Sequence, residues 1–309
     1  MSTASSTLAV PRRSGSSLSR DFSELIKLRV TALIVMTAWA GYFMASARMG
    51  VSSVGWGLMH ALLGIGLVSG GTAALNEIVE RDVDALMRRT AGRPLPAKRM
   101  SLTTASLISG IMIGGGLLYL ALATNVLTAV LTAATSGVYM LGYTPLKRVS
   151  PICTFIGALP GAMPPLLGWV ASRGTIDAEG IALFAILFCW QFPHFYAIAW
   201  MYREDYASAN IRMLPVIEQT GTWTRREIIC YSLTLIPATM LPVLMHMAGR
   251  AYLGAAIVLG GVLLWYAFRA SSTPPPMSSP ESRIRARNLL KATVIYLPLL
   301  LAAMMLNAL

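Results

Sequence analysis

Long apolar segments alternate with short polar connections along almost the whole chain. Nine segments are each close to the ~20 residues that a membrane-spanning helix requires. They are residues 28–46, 54–75, 103–123, 126–142, 152–171, 181–201, 229–248, 251–268 and 291–308. The pattern predicts an all-α polytopic membrane protein with nine transmembrane helices.

Composition supports this interpretation. Only 12% of the 309 residues are charged, against about 25% in a soluble domain, and the mean hydropathy is +0.62. Cys153, Cys189 and Cys230 all fall in apolar segments and lack metal-ligand spacing. We expect them to be small hydrophobic residues rather than disulfide partners.

The basic residues are distributed unevenly between the two sides of the predicted bundle. All but three of the 25 Lys and Arg residues lie at the N-terminal side of the first span or in the connections after spans 2, 4, 6 and 8; the exceptions are Arg48, Arg173 and Arg250. By the positive-inside rule, the N-terminus and these connections lie in the cytoplasm and the C-terminus lies outside. The net charge of +12 therefore reflects topology in a cell membrane and anionic ligands, not nucleic acid.

Two polar segments, residues 1–21 and 271–282, lie outside the predicted spans. Residues 1–21 are Ser-rich and basic without an apolar core, so they are predicted to be a disordered polar tail and not a secretory signal. Residues 22–309 are predicted to form a single domain. Residues 271–282 are predicted to be a loop.

A column of polar side chains interrupts the apolar pattern at the end of the second span. Asn76, Glu80 and Asp84 recur at every fourth position, which places them on one face of a helix. Polar groups at a membrane boundary are costly and are candidate functional residues. Magnesium takes oxygen ligands, usually one or two carboxylates together with phosphate oxygens. The column is therefore a candidate Mg²⁺ site, and its members are candidate catalytic residues.

Basic residues follow this column closely. Arginine binds phosphate oxygens with two parallel hydrogen bonds, so the connection is a candidate diphosphate clamp. Its candidates are Arg81, Arg88 and Arg93, with Arg89, Lys98 and Arg99 as further members of the group. Asp82 lies on another face and is expected to pair with an arginine. The plainer alternative is a solvated loop with assorted salt bridges.

A second cluster, Tyr143 to Arg148, ends the fourth span. Tyrosine and basic residues at such a position are ordinary interfacial anchors. As spatial neighbours of the first connection, Lys147 and Arg148 would extend the diphosphate clamp.

A third cluster lies in and after the sixth span. Gln191 and His194 are one helical turn apart, and Pro193 between them should kink the helix. The aromatic residues around them are either an interfacial belt or a wall that stabilises a carbocation. Gln191 lies one turn from His194 and charged residues follow the span, which favours a functional role for His194. His60 and His246 lack such neighbours and are assigned structural roles.

Together the clusters resemble the UbiA-type intramembrane prenyltransferases, and within that family the branch that farnesylates heme. The resemblance extends over about residues 22–309 in topology. It is carried by Asn76–Asp84 with Met87–Thr90 and Arg93–Leu95, by Tyr143–Arg148, and by Trp190–Phe195 with Asp205–Tyr206 and Met213–Pro215.

The chain departs from the family pattern at two places. Glu80 stands where many relatives have aspartate, which a metal site should tolerate. The wider family has two aspartates four residues apart after span 6, whereas here Glu204 and Asp205 are adjacent and Met201 precedes Asp205 by four. The number of metal ions therefore stays open. Five residues are assigned by the resemblance either to a metal ion or to binding of the heme substrate: Gln191, Arg203, Glu204, Asp205 and Arg212.

The resemblance implies nine helices around a central cavity that is capped by cytoplasmic loops. It implies farnesyl diphosphate and heme B as substrates, Mg²⁺ as cofactor, and heme O and diphosphate as products. It further implies a downstream partner in heme A synthase or oxidase assembly. His194 would approach the heme iron or position the vinyl group or water. Gly110, Gly114, Gly115 and Gly116 would allow close helix approach, with tunnel space as the alternative.

Three other functions are alternatives to heme farnesylation. A related prenyltransferase with a phenolic or quinone-precursor acceptor would share the first cluster. A transporter would place its acidic residues near the membrane midplane in an inverted repeat, and neither feature is visible. A heme-binding electron carrier would need facing pairs of axial histidines, and the chain has only three histidines.

Overall fold

The computed structural model describes residues 18–218, 220–272 and 276–309. These ranges contain helices and one isolated β-bridge, between Ala248 and Ala308. The helices are α1 (Leu18–Leu25), α2 (Leu28–Arg48), α3 (Trp56–Asp84), α4 (Leu102–Ala123), α5 (Val126–Gly137), α6 (Thr144–Leu146), α7 (Cys153–Arg173), α8 (Ala178–Met201), α9 (Arg203–Ser208), α10 (Leu214–Ile217), α11 (Thr222–Leu244), α12 (Arg250–Ser271) and α13 (Pro280–Leu306). A π-helical segment, Val138–Tyr143, joins α5 to α6.

In the described part of the chain, nine helices are long and apolar enough to cross a membrane, which confirms the predicted fold class. Three of them extend well beyond the apolar segments that the sequence defines. α3 continues to Asp84 instead of residue 75, α11 begins at Thr222 instead of residue 229, and α13 begins at Pro280 instead of residue 291. Hydropathy marks only the apolar part of a helix, whereas backbone hydrogen bonding continues into polar residues. The Ser279 side chain, for example, accepts the Ser282 N–H and caps α13.

α2 and α7 cross with their backbones in close contact. A Cβ atom on Gly41 would lie 1.8 Å from the Pro165 carbonyl oxygen, and one on Gly168 would lie 1.8 Å from that of Ala38. Glycine is required at both positions because any side chain would collide with backbone. α7 is the most buried of the nine spans, so this crossing lies at the centre of the molecule.

The main core lies where α2, α7, α8, α11, α12 and α13 meet. Its largest fully buried side chains are aromatic: Trp169, Phe192, Tyr252 and Tyr296. The Tyr252 hydroxyl donates to the Thr239 carbonyl at 2.9 Å, which satisfies its polar end inside the core. α3 and α4 pack against each other beside this core and place the end of α3 at its edge.

The four predicted glycines behave differently from one another. Gly116 packs against α3, since an added Cβ would lie 2.8 Å from Val68 Cγ2. Gly110, Gly114 and Gly115 face open space, so the expectation of close packing is wrong for these three. Sequence could not separate them, because only the face of α4 that meets α3 requires a small residue.

The remaining fold predictions concern the tail and the cysteines. Residues 1–17 of the predicted tail lie outside the described residues, and residues 18–21 belong to α1, which corrects the predicted boundary. Two ion pairs fix α1 to the 85–101 connection: Arg99 Nε donates to Asp21 at 2.8 Å, and Arg99 also pairs with Glu24 at 2.7 Å.

The three cysteines are free thiols, as expected. Cys230 is exposed on the apolar exterior and the other two are buried.

Candidate functional site

The last two turns of α3 carry the predicted polar column into a pocket at one end of the bundle. The pocket has a volume of about 150 Å³ and is lined by Asn76, Glu80 and Asp84 together with basic and aromatic residues from four other parts of the chain. We call this end the polar end, because α1 and the polar residues 85–101, 147–152, 202–218 and 276–279 lie there. The predicted column is thus a single site.

Asn76 links the column to the start of the first span. Its Oδ1 accepts from Lys27 Nζ at 2.6 Å, and its Nδ2 donates to Glu80 Oε2 at 2.9 Å and to Thr144 Oγ1 at 3.3 Å. Asn76 is 1% exposed. Its side-chain amide is therefore fixed with the oxygen toward a cation and the nitrogen toward a carboxylate.

Glu80 is held by the fourth span. Both of its oxygens accept from Lys147 Nζ, at 2.8 and 3.0 Å, and the Lys147 ammonium lies 4.5 Å from the centre of the Tyr143 ring. Burial opposes the charge on Lys147, but the neighbouring Tyr143, Tyr139 and Glu80 groups hold its pKa above the ordinary range. Lys147 is therefore a permanent cation in the pocket.

Asp84 is held by the connection that follows it. Its carboxylate pairs with Arg93 at 2.5 Å, and its backbone carbonyl accepts from the Thr90 hydroxyl at 2.8 Å. The side chain is almost fully buried. An unpaired carboxylate there would be strongly unfavourable, so Arg93 compensates its charge.

Lys27 is a pocket residue that sequence reasoning did not select. Burial, reinforced by the like charges of Arg93 and Lys147, lowers its pKa to about 7 despite the opposing Glu80 and Asp84. It lies in the left-handed region with φ 49°, between α1 and α2. No local motif marks it, because its position depends on how α1 turns into the first span.

Arg89 also lines the pocket, and its guanidinium lies 5.3 Å from the ring centre of Tyr202 and 5.9 Å from that of Tyr206. The sequence places Arg89 in the basic group but gives no reason to prefer it to Arg88. The turn that follows α3 decides which of the two faces inward.

Three predicted clamp residues lie elsewhere. Arg81 pairs with Asp82 at 2.8 Å on the outer face of α3, as expected for Asp82. Arg88 and Arg148 are exposed and are not among the residues that line the pocket. Of the predicted diphosphate ligands, Arg93 and Lys147 line the pocket of the column, together with Arg89 from the wider basic group and Lys27.

The connections of the polar end bind one another and cap the pocket. The Arg212 N–H donates to the Lys147 carbonyl at 2.7 Å, and the Ser208 hydroxyl donates to the Leu86 carbonyl at 3.2 Å. Met87 is buried in an apolar cluster with Ile211 and other side chains of this end. The pocket therefore lies under an ordered cap, with the apolar bundle beyond it.

Comparison with known proteins gives the family. The sequence model of the UbiA prenyltransferase family matches residues 34–306. The chain belongs to this family. It is 58% identical over 307 residues to a protein of Koribacter versatilis strain Ellin345 named protoheme IX farnesyltransferase, with 99% of each chain covered.

Solved structures of other UbiA-type proteins share the fold. A digeranylgeranylglyceryl phosphate synthase superposes with a TM-score of 0.75 at 17% identity, covering 93% of this chain and 97% of the other. A UbiA homolog from Archaeoglobus fulgidus bound to GPP and Mg²⁺ superposes with a TM-score of 0.56 at 15% identity, covering 92% and 99%.

The donor set of this prenyltransferase fits a magnesium ion that also binds substrate phosphate. Asn76, Glu80 and Asp84 offer one amide and two carboxylate oxygen groups in one pocket. No group of three His, Cys, Asp or Glu side chains suited to a metal occurs in the described ranges. Magnesium commonly takes only one or two carboxylates and completes its shell with water and phosphate, so the residues suit that mode.

The structure separates the two predicted residues of α8. Gln191 is buried, and its Nε2 donates to the Ala158 carbonyl of α7 at 3.0 Å and to the Leu187 carbonyl at 3.2 Å; these contacts give it a packing role. His194 faces α13 instead, where its Nδ1 lies 2.9 Å from Thr293 Oγ1. Neither residue lines the pocket of the polar column.

A second pocket, of about 460 Å³, lies at the polar end beyond α8. Arg203, Glu204 and Arg283 line it with Trp200 and Met201. Arg203 also donates to the Glu218 carbonyl at 3.1 Å. Asp205 and Arg212 do not line it. Of the residues predicted to bind a second metal or the heme, two therefore line this pocket, Arg203 and Glu204, and they do so together with Arg283 of α13.

Proposed function

We propose that this prenyltransferase transfers a farnesyl group from farnesyl diphosphate to a vinyl group of heme B, with addition of water, to give heme O and diphosphate. The proposal is supported by the near full-length similarity to the Koribacter versatilis protein named protoheme IX farnesyltransferase. The observation that carries it is the pocket in which Asn76, Glu80 and Asp84 share one space with Lys27, Arg93 and Lys147. Such a site suits a metal-bound diphosphate.

The basic residues are assigned to the leaving group. Lys147, Arg93, Lys27 and Arg89 surround the space where a diphosphate would lie, and cations placed there stabilise the charge that develops as the allylic carbon–oxygen bond breaks. Mg²⁺, when held by Asn76, Glu80 and Asp84, supplies Lewis-acid neutralisation of the same charge. A related UbiA homolog has been described bound to GPP and Mg²⁺.

The reaction balances without an oxidant or reductant. The electron pair of the broken bond leaves with diphosphate, and the vinyl π electrons form the new carbon–carbon bond to the farnesyl carbon. Water then adds to the cation left on the porphyrin side and releases a proton. The capped pocket and the apolar bundle keep bulk water from the allylic cation before this step.

Substrate entry requires the ion pairs of the pocket to exchange. In the free protein Glu80 is paired with Lys147 and Asp84 with Arg93. A magnesium diphosphate brings a cation for the carboxylates and an anion for the bases. The ion pairs are thus replaced and no buried charge is left uncompensated. An uncompensated buried charge would cost about 3–5 kcal/mol.

We assign the heme propionates to the second pocket. Arg203 and Arg283 supply two guanidinium groups suited to carboxylates, and Glu204 reduces the net positive charge of the lining. The distribution of Lys and Arg supports a cytoplasmic location for the N-terminus and the polar end. The heme O product would be passed to a downstream enzyme of the heme A synthase or oxidase-assembly type.

The test is incubation of membranes that contain the protein with heme B and farnesyl diphosphate, with and without a chelator. We expect a pigment whose mass exceeds that of heme B by a farnesyl and a hydroxyl group, and loss of that pigment with chelator. Farnesylation of a phenolic acceptor with no change in heme mass would instead identify the related prenyltransferase.

A further inference from the structure

The hydrogen bonds around His194 fix which of its ring nitrogens carries the proton. Thr293 Oγ1 donates its only hydrogen to the Leu290 carbonyl at 2.7 Å. The same oxygen lies 2.9 Å from His194 Nδ1. With its hydroxyl hydrogen directed to Leu290, Thr293 accepts a hydrogen bond from the ring, and this network assigns the proton to Nδ1. The neutral imidazole then has its lone pair on Nε2.

Nε2 has no hydrogen-bond partner among the described residues, since the ring hydrogen bond is made by Nδ1. His194 is partly exposed, whereas Thr293 is fully buried. The arrangement thus protects the hydrogen bond and presents the lone pair.

Trp190 fixes the plane of the imidazole. Its ring stacks on His194 with centres 4.7 Å apart and planes 20° apart. Its Nε1–H donates to the Thr293 carbonyl at 2.9 Å. Two side chains of α8, one turn apart, are therefore fastened to the same residue of α13, and rotation of His194 would break both the stack and the hydrogen bond.

We propose that Thr293 is a positioning residue that holds His194 in the Nδ1–H tautomer, so that Nε2 binds the iron of the heme substrate. The proposal rests on the proposed function. Histidines that bind metals usually donate their other N–H to a fixed acceptor, which sets the tautomer and raises ligand basicity. A histidine is also the ordinary proximal ligand of heme iron.

The position of His194 along α8 agrees with the assignment of the propionates. Met201 follows it by seven residues, which is two helical turns, about 10.5 Å, on the same face. Met201 lines the second pocket with Arg203 and Arg283. A heme whose iron lies at His194 would therefore extend its propionates along this face toward the arginines at the polar end.

The experiment compares heme B binding to the full-length protein and to three variants. T293V removes the acceptor with little change in shape, T293S keeps it, and H194A removes the ligand. T234V is the matched control, because Thr234 is exposed on α11 and its hydroxyl bonds only within its own helix. Heme affinity is measured by Soret titration, and the iron–histidine stretch of the ferrous complex by resonance Raman.

We expect H194A to lose the iron–histidine stretch. T293V should shift that stretch and weaken heme binding by about 10- to 100-fold, whereas T293S and T234V should match the unmodified protein. Farnesyl diphosphate binding, measured separately, should be unchanged in all four and shows that each variant is folded.

Two results would overturn the proposal: an unchanged iron–histidine stretch in H194A, or equal heme affinity and equal spectra for T293V and T234V. The spectra do not depend on turnover. If the protein binds heme through His194 but makes no farnesylated heme, the proposed function fails and the ligand assignment stands. If heme O forms and T293V is indistinguishable from T234V, only the positioning role fails.

Discussion

Each residue of the polar column has its own basic partner. Lys147 contacts Glu80, Arg93 contacts Asp84, and Lys27 contacts the Asn76 oxygen. Buried charges persist only when they are paired and hydrogen-bonded, so the bases compensate the carboxylates and hold them facing inward in the free protein. In the proposed function the same bases then bind the diphosphate. One set of residues would thus stabilise the empty pocket and bind the substrate.

The first prediction concerns the acids of the column. E80Q and D84N keep the size of each side chain and remove its charge, and D82N is the matched control because Asp82 is exposed and pairs only with Arg81. We expect E80Q and D84N each to lower the rate of farnesyl transfer by about 100-fold or more, and D82N to retain it. Rates are measured by product mass. Equal rates in E80Q and D82N would remove Glu80 from the site.

The second prediction concerns pH. The pKa of Lys27 in the free pocket is about 7, and a bound diphosphate would raise it because the anion favours the ammonium form. Binding therefore takes up a proton above pH 7 and none below it. The affinity for farnesyl diphosphate should be highest below about pH 7 and should fall above it, approaching about tenfold per pH unit.

The variant K27R tests the source of this titration. Arginine stays charged, so the decline above pH 7 should become shallower in K27R, while Lys147 remains charged in both proteins because its pKa is raised. Affinity is measured at each pH by competition with a labelled prenyl diphosphate. The same steep decline in K27R would show that Lys27 is not responsible.

The shared helix face of the column could be predicted from sequence, as could Arg93 and Lys147 as its basic neighbours, but two other neighbours could not be singled out. A four-residue period of Asn76, Glu80 and Asp84 defines a helix face by itself. Lys27 and Arg89 reach the pocket only because α1 and the 85–101 connection turn toward it. Thr293 is 99 residues from His194, and no local pattern connects them.

At the scale of the element, the crossing of α2 and α7 depends on two glycines. The third prediction is that G41A and G168A destabilise the protein, because the added methyl group would collide with a backbone carbonyl. Overpacking of this kind costs about 1–3 kcal/mol. Tm in detergent measures the effect, and G114A is the control, because Gly114 faces open space. A Tm for G41A equal to that of G114A would contradict the crossing.

Helix number followed from the apolar pattern, whereas helix length did not. α3 runs two turns past its apolar segment, and those turns carry Glu80 and Asp84. An extended helix is what places the carboxylates at a fixed distance above the bundle. The candidate functional part of α3 is therefore the part that lies outside the apolar segment.

At the scale of the whole molecule, the two polar pockets lie at one end of the bundle, and the opposite end carries just three basic residues, Arg48, Arg173 and Arg250. The fourth prediction is that this polar end lies in the cytoplasm, since it carries nearly all Lys and Arg residues. In a chain whose native cysteines are replaced, S52C should react with a membrane-impermeant thiol reagent in intact cells, and A97C only after lysis. The reverse pattern would invert the topology.

Formation of farnesylated heme is the most direct measurement of the central claim. The protein and its E80Q variant are each incubated with heme B, farnesyl diphosphate and Mg²⁺, and the pigment is analysed by mass spectrometry. The account predicts a gain of one farnesyl and one hydroxyl group with the unmodified protein, and none with E80Q or after chelation. An unchanged heme mass with the folded, unmodified protein, or full product formation by E80Q, would contradict the proposed function.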